Sequence, residues 1–187
     1  MARISQLERT DLPEGDRKLW DQFSSGSRDF SHQVRVLAHS PQSFRHLYGL
    51  VEDLRTQGSL PQRLVEIAVV TTSKLNECPY CVAHHTPALT GLGISASAAL
   101  DILAPRPEGF SEVDVLVRDY ARLLTERAWG ISDSVFDNLK KHLTERQIVE
   151  LSVRIGICTL FNKLNLAIQI EPEAGFDEVP EAEDGNR

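Results

Sequence analysis

The chain of 187 residues has only three cysteines, no concentration of basic residues and no uninterrupted apolar run approaching a membrane span, which takes ~18 residues. Each absence excludes something. The formal net charge is −7, and the densest basic spot, Lys140-Lys141-His142, is a short helix end. That excludes a nucleic-acid or anionic-membrane surface as the expected partner. The first residues, Met1 to Glu8, lack a long hydrophobic segment with a cleavage site, so no secretory signal is expected. Three cysteines without such a signal do not make a disulfide framework. A cytoplasmic setting is expected, where a Cys-x-x-Cys pair is more often catalytic or metal-binding than structural. No stretch alternates with the period of a strand and no repeat stands out, so the expected fold class is all-α. Haem, flavin and nucleotide motifs are also missing, and no cofactor is assigned.

What is present is an ordinary globular composition, 41% apolar and 25% charged, in a chain that forms one domain most simply. Residues 1–28 read as an N-terminal arm. A short helix within it, from Arg17 to Phe23, puts Trp20 and Phe23 on one face as an anchor. Residues 29–170 read as the helical domain. Ser40 is its first N-cap, with Pro41 at the first helical position. Phe44, Leu47, Tyr48, Val51 and Leu54 follow at three- and four-residue spacing. Further starts are marked by Ser95, Ser111 and Ser132. The capping-box tetrad Thr144-Glu145-Arg146-Gln147 opens a long last helix to about Ile170. Residues 171–187, with seven acidic residues, two prolines and two glycines, read as a mobile acidic tail.

The centre of the chain is the stretch from Glu66 to His85. Leu64, Val65, Ile67, Ala68, Val69 and Val70 are apolar nearly all round, the pattern of a buried helix. Glu66 interrupts it, and a buried carboxylate must be paired, hydrogen-bonded or neutral. Arg63 or Lys74 would supply a structural partner, so structural and functional readings of Glu66 stand level. Asn76, Glu77 and Pro79 break the pattern. A second helix begins with Cys78 as N-cap, Pro79 first and Cys81 third, and stops at Gly91-Leu92-Gly93.

A Cys-x-x-Cys at a helix start places both sulfurs within one turn. The N-terminal end of the helix stabilises a thiolate, lowering the pKa from ~8.5 and making the sulfur nucleophilic. One thiolate can attack a peroxide to give a sulfenic acid, which the second thiol condenses into a disulfide. His85 lies one turn after Cys81 on the same face and could carry protons. A structural zinc would take four ligands. Cys78, Cys81 and His84 or His85 give three, while Cys158 arrives in another apolar helix, so zinc is disfavoured. A thioredoxin-like reading lacks the flanking βαβ pattern. A purely structural cysteine pair keeps a lesser share. Cys158 reads as a small core residue, and Asn162 and Asn165 either face the site or cap a neighbouring turn.

The series Glu66, Cys78-Pro79-Tyr80-Cys81, His85 and then Gly91 or Gly93 resembles the alkylhydroperoxidase AhpD-like group of the carboxymuconolactone decarboxylase family. The resemblance extends more weakly over residues 35–170, including Phe161-Asn162-Lys163-Leu164-Asn165. It implies an AhpD-like helical bundle around a central helical hairpin, assembled as a homo-oligomer such as a trimer or hexamer. It also implies a hydroperoxide substrate and an external dithiol reductant. Cys81 would be the peroxidatic thiol, Cys78 the resolving and more exposed one, and Glu66 with His85 the proton relay. Tyr80 stands where peroxidase members often have histidine; with His84 it is counted as a supporting residue, a phenol that donates rather than a base. Two alternatives remain: an acid–base decarboxylase, whose members typically lack the cysteine pair, and a non-enzymatic redox-sensing protein. With straight antiparallel helices Glu66 would lie ~18 Å from the turn and His85 ~10 Å. The two meet only if the helices cross at an angle or the first ends early, and an end around Lys74 to Asn76 is expected.

Overall fold

Polar caps and prolines set most of the helix starts. The computed structural model describes residues 2–25 and 29–176. Its helices are α1 (Glu14–Phe23), α2 (Ser31–Leu37), α3 (Pro41–Gln57), α4 (Gln62–Leu75), α5 (Pro79–Gly91), α6 (Ala96–Leu100), α7 (Glu112–Arg127), α8 (Asp133–Leu139) and α9 (Glu145–Ile168). No strand occurs among the described residues, and the fold is all-α. Ser111 and Thr144 form reciprocal capping boxes with Asp114 and Gln147, and the Ser95 hydroxyl accepts the Ala98 N–H at 3.1 Å. Each satisfies donors that the helix itself leaves open. Ser40 differs: its hydroxyl turns to Ser43 Oγ at 2.8 Å, so Pro41 starts α3 without a side-chain cap.

α4 is the central rod. Every residue from Leu64 to Ser73 is buried, and α4 packs against α5, α7 and α9. Ile67 and Val70 have no exposed surface, and burial of such side chains contributes ~2 kcal/mol each. α9 is tied to the start of α4 by Glu150, whose carboxylate accepts the Ser59 N–H at 2.9 Å. Two arginines on α4 and α7 hold the intervening loops. Arg63 reaches Asp114 together with the Leu92 and Gly109 carbonyls. Arg118 donates to Ile102, Ala104 and Pro105.

A second core holds the front of the chain. Trp20 and Phe23 dock there as the expected anchor, with Leu12, Val34, Phe44 and Tyr48. The helix carrying them starts at Glu14, with Gly15 inside it rather than in a turn. α2 was not expected. Its buried Val34, Leu37 and Ala38 share one face, but the helix is only seven residues long and its N-cap, Phe30, offers no polar side chain. Tertiary packing fixes it instead.

The C-terminal reading also needs correction. Glu173, counted in a mobile tail, is buried and accepts the His32 N–H at 2.6 Å. Residues 171–176 are therefore a strap across α2 and α5, while residues 177–187 lie outside the described residues. α9 is long and apolar enough to cross a membrane by length and composition, with a mean hydropathy of 1.3 over its best window. Counting uninterrupted apolar runs misses it because charged residues are interspersed. In the fold it packs against α4 and α7, and leaves Val149, Val153, Leu160 and Leu166 exposed.

Candidate functional site

The turn between α4 and α5 builds the site. Only Asn76, Glu77 and Cys78 separate the two helices, and α4 ends at Leu75, inside the expected window. The Cys78 N–H returns to the Ser73 carbonyl at 2.9 Å and the Glu77 N–H to Lys74 at 3.1 Å. This paired closure needs a left-handed residue, supplied by Glu77 at φ 54° where glycine is usual. Cys78 then caps α5, its sulfur accepting the Cys81 N–H at 3.5 Å, with Pro79 in the first turn.

The two sulfurs stand 3.0 Å apart and both cysteines are free. A disulfide needs ~2.05 Å, so the pair is a dithiol poised near bonding distance. The Cys78 thiol is lowered from 9.0 to about 7, first by the hydrogen bond with Cys81, against burial, and further by the Cys81 N–H and Asn165. Cys81 is shifted upward, first by its hydrogen bond with Cys78 and then by burial. Neither sulfur is open to solvent, and Cys78, at 1% exposure against 6% for Cys81, is the less exposed of the two, contrary to expectation.

Glu66 and His85 meet. His85 Nδ1 lies 2.8 Å from Glu66 Oε2, and Gln62 holds the other carboxylate oxygen. The structural partners suggested for Glu66 are engaged elsewhere: Arg63 with Asp114 and Lys74 with the Leu100 carbonyl. His84, one residue before His85, faces a different carboxylate. Its Nε2 is 2.6 Å from Glu173 Oε2, although off the line of a hydrogen bond. The Tyr80 hydroxyl donates to Glu173 Oε1 at 3.0 Å. Burial pushes the Tyr80 phenol strongly up, so it remains a donor. Phe176 and Phe30 stack on the His84 ring, with centroids at 4.1 and 4.8 Å.

Cys81, His85, Glu66, His84 and Tyr80 line one cavity of about 410 Å³, whose remaining walls are largely aromatic and aliphatic. Cys78 and Tyr80 line a separate groove of about 470 Å³ against the end of α9 and the strap. The two sulfurs thus face different spaces. Cys158 is a core residue, as expected, hydrogen-bonded to Ser73 at 3.3 Å and pushed up to about 12 by burial; it also lines the cavity beside Cys81.

Residues 41–106 match the carboxymuconolactone decarboxylase family model. That family segment runs from α3 past α6 and contains Glu66, Cys78, Tyr80, Cys81, His84 and His85. The fold is that of AhpD-like proteins. An uncharacterized peroxidase-related protein with an alkylhydroperoxidase AhpD core, from Ralstonia eutropha JMP134, superposes with a TM-score of 0.83 at 21% identity, over 94% of both chains. Another uncharacterized peroxidase-related protein, from Silicibacter sp. TM1040, gives 0.80 at 18% identity, again over 94% of both. The debrominase Bmp8 gives 0.79 at 17% identity, over 94% of this chain and 95% of that one. No curated protein sequence matches the chain significantly.

Outside the matched segment, the site draws among others on Gln33, Asn165 and Glu173. Gln33 and Glu173 gave no sequence signal. Asn165 was left open between facing the site and capping a turn; it faces the site, donating to Cys81 Sγ at 3.2 Å. Two carboxylates flanking one Cys-x-x-Cys helix would need a signal coupling residues about 90 positions apart, as Tyr80 and Glu173 are, and a single sequence carries none.

Proposed function

We propose that the protein is a thiol-dependent hydroperoxide reductase that cycles through a Cys78–Cys81 disulfide, with Glu66 and His85 as its proton relay. The observation that carries this reading is the sulfur pair 3.0 Å apart, with one member opening on a cavity that also holds the His85–Glu66 pair at 2.8 Å. Cys81 gives up its proton to the relay and its sulfur attacks the outer oxygen of ROOH. The O–O bond breaks, Cys81 becomes a sulfenic acid, and the leaving alkoxide takes a proton from His85 to give ROH. The Cys78 sulfur then attacks the sulfenic sulfur, forming the disulfide, and the hydroxyl leaves as water with the proton given up by the Cys78 thiol. An external dithiol returns two electrons and two protons to the pair. Over the cycle, ROOH and a dithiol become ROH, water and a disulfide. A compartment that keeps thiols reduced, such as the cytoplasm, suits this cycle.

Cys81→Ser should abolish turnover, and Cys78→Ser should accumulate a sulfenic acid on Cys81 after one equivalent of an organic hydroperoxide, read by intact mass. Sustained turnover by either variant would refute the cycle. The exposed apolar residues of α9, Val149, Val153 and Leu160, support assembly into a homo-oligomer, to be read by native mass spectrometry.

A dehalogenating reaction is the second reading. It is favoured by the largely apolar cavity beside Cys81 and by the fold shared with a debrominase. Loss of halide from a bromopyrrole in the presence of dithiol, with inert hydroperoxides, would select it.

A further inference from the structure

A buried row of polar groups leads to Cys81 from the side away from His85. The Tyr48 hydroxyl donates to Gln33 Oε1 at 2.6 Å. Gln33 Nε2 donates to Asn165 Oδ1 at 2.8 Å, and Asn165 Nδ2 donates to Cys81 Sγ at 3.2 Å and lies 3.9 Å from Cys78 Sγ. The row joins α3, α2, α9 and α5, and every member is buried: Tyr48, Gln33 and Asn165 are 2%, 4% and 2% exposed. Each donor points the same way, towards the sulfur.

We propose that Tyr48, Gln33 and Asn165 form an oriented hydrogen-bond chain that presents an N–H to Cys81 and stabilises negative charge on its sulfur during attack. Asn165 touches the reacting sulfur; Gln33 and Tyr48 are positioning residues that fix which face of the Asn165 amide it sees. This deepens the thiol-cycle reading above and rests on it only in naming Cys81 as the attacking sulfur.

The physical case is one of matching donors to acceptors in a place without water. A buried amide must have both ends paired. Were the Asn165 amide turned over alone, its carbonyl would face the sulfur and its N–H₂ would face the Gln33 N–H₂, leaving donors opposed. Turning both amides together pairs every group again, with the Tyr48 oxygen now accepting, but it aims a carbonyl at Cys81. The chain therefore has two consistent settings. Carbonyl-to-sulfur suits a Cys81 thiol, and N–H-to-sulfur suits a thiolate. The structure holds the second, and the Tyr48 hydroxyl keeps the proton that setting requires because burial raises its pKa well above the ordinary value.

The chain also answers an imbalance at the pair. Cys78 has the Cys81 N–H and the start of α5 to stabilise its charge. Cys81 sits in the third position of the helix, and Asn165 is its compensating donor. Charged and titratable groups around Cys81 face it from elsewhere: Glu66 with His85 on one side, His84 with Glu173 on the other, and Arg154 and Cys158 from α9.

The test reads Cys81 without peroxide. In a Cys78→Ala background, iodoacetamide alkylation of Cys81 at pH 7 is compared for Asn165, Asn165→Leu, Asn165→Asp and Tyr48→Phe, alongside the reduction potential of the disulfide in chains with both cysteines. Loss of a hydrogen bond to a charged group slows alkylation of the Asn165→Leu protein roughly tenfold or more. Asn165→Asp, of unchanged size but with an acceptor at the sulfur, should be slower still. Tyr48→Phe, which keeps the ring and removes only the anchor, should slow it about threefold. The potential should fall in the same order, because each change disfavours the dithiolate side of the couple. Should Asn165→Leu fail to fold, Asn165→Asp and Tyr48→Phe decide. Unchanged alkylation and potential in the folded variants would overturn the proposal. Shifted values in a protein that never turns over hydroperoxide would keep the chain and refute the peroxidase reading.

Discussion

Two histidine–glutamate pairs stand back to back on α5, and they differ in almost every respect except composition. His85 with Glu66 joins two neighbouring helices of one hairpin, and its imidazole is 27% exposed towards the cavity. His84 with Glu173 joins that hairpin to a strap about 90 residues later, and its imidazole is 1% exposed. The first pair has a ring that can reach a ligand in the cavity and exchange a proton with it. The second is enclosed by Tyr80, Phe30 and Phe176, with Glu173 also committed to the Tyr80 hydroxyl and the His32 N–H. Identical side-chain chemistry at adjacent positions thus meets an open setting in one direction and an enclosed one in the other, because a helix sends successive side chains about 100° apart.

The comparison is broken most strongly at the open pair. Glu66→Gln or His85→Ala should lower peroxide turnover by about a hundredfold, the usual effect of losing general acid–base help. Thermal unfolding should move far less than activity, and a similar loss in both would deny the pair its separate role.

At the closed pair the expected order reverses. Glu173→Ala strips partners from buried donors at Tyr80 and His32 and should cost about 2 kcal/mol of stability, read by denaturant unfolding, with turnover changed less than threefold. Burial alone would raise Glu173, but His84 and the His32 N–H hold it below its ordinary 4.5. A depressed carboxylate stabilises fully above its unfolded value and loses that contribution as pH falls through the folded one. The wild-type strap should therefore loosen below about pH 4.5, and Glu173→Gln should flatten that acid dependence.

The smallest effect sharpens the hinge between the pairs. Glu77 holds a left-handed conformation that costs a side chain ~1 kcal/mol relative to glycine. Glu77→Gly should raise stability by about that amount and leave Cys78 reactivity unchanged.

The open pair could be read in the sequence and the closed pair could not, for a physical reason. Glu66, Cys78, Cys81 and His85 lie on one hairpin, where local rules place the cysteines at the helix start and the family resemblance pairs Glu66 with His85. The early end of α4 follows from the same rules. Tyr80 and His84 were visible as residues, but their partner Glu173 sits in a segment whose acidic, proline-containing composition reads as solvated. Asn165 meets Cys81, and Gln33 meets Asn165, through the packing of α2 and α9, which hydrophobic period does not specify. α2 itself escaped because a seven-residue stripe without a polar cap is too short to stand out.

The closure at Cys78 has a further consequence, visible in amide exchange with solvent. One residue ends α4 with its N–H and begins α5 with its sulfur. While that sulfur is anionic, it holds the Cys81 N–H by charge. Once it is joined to Cys81 it is neutral and a much weaker acceptor, so the same atom changes from a cap into a crosslink. The first turn of α5 is then restrained by a covalent bond and no longer by an electrostatic one. The Cys81 amide should therefore exchange at different rates in the dithiol and disulfide proteins, a local reporter of how many electrons the site holds.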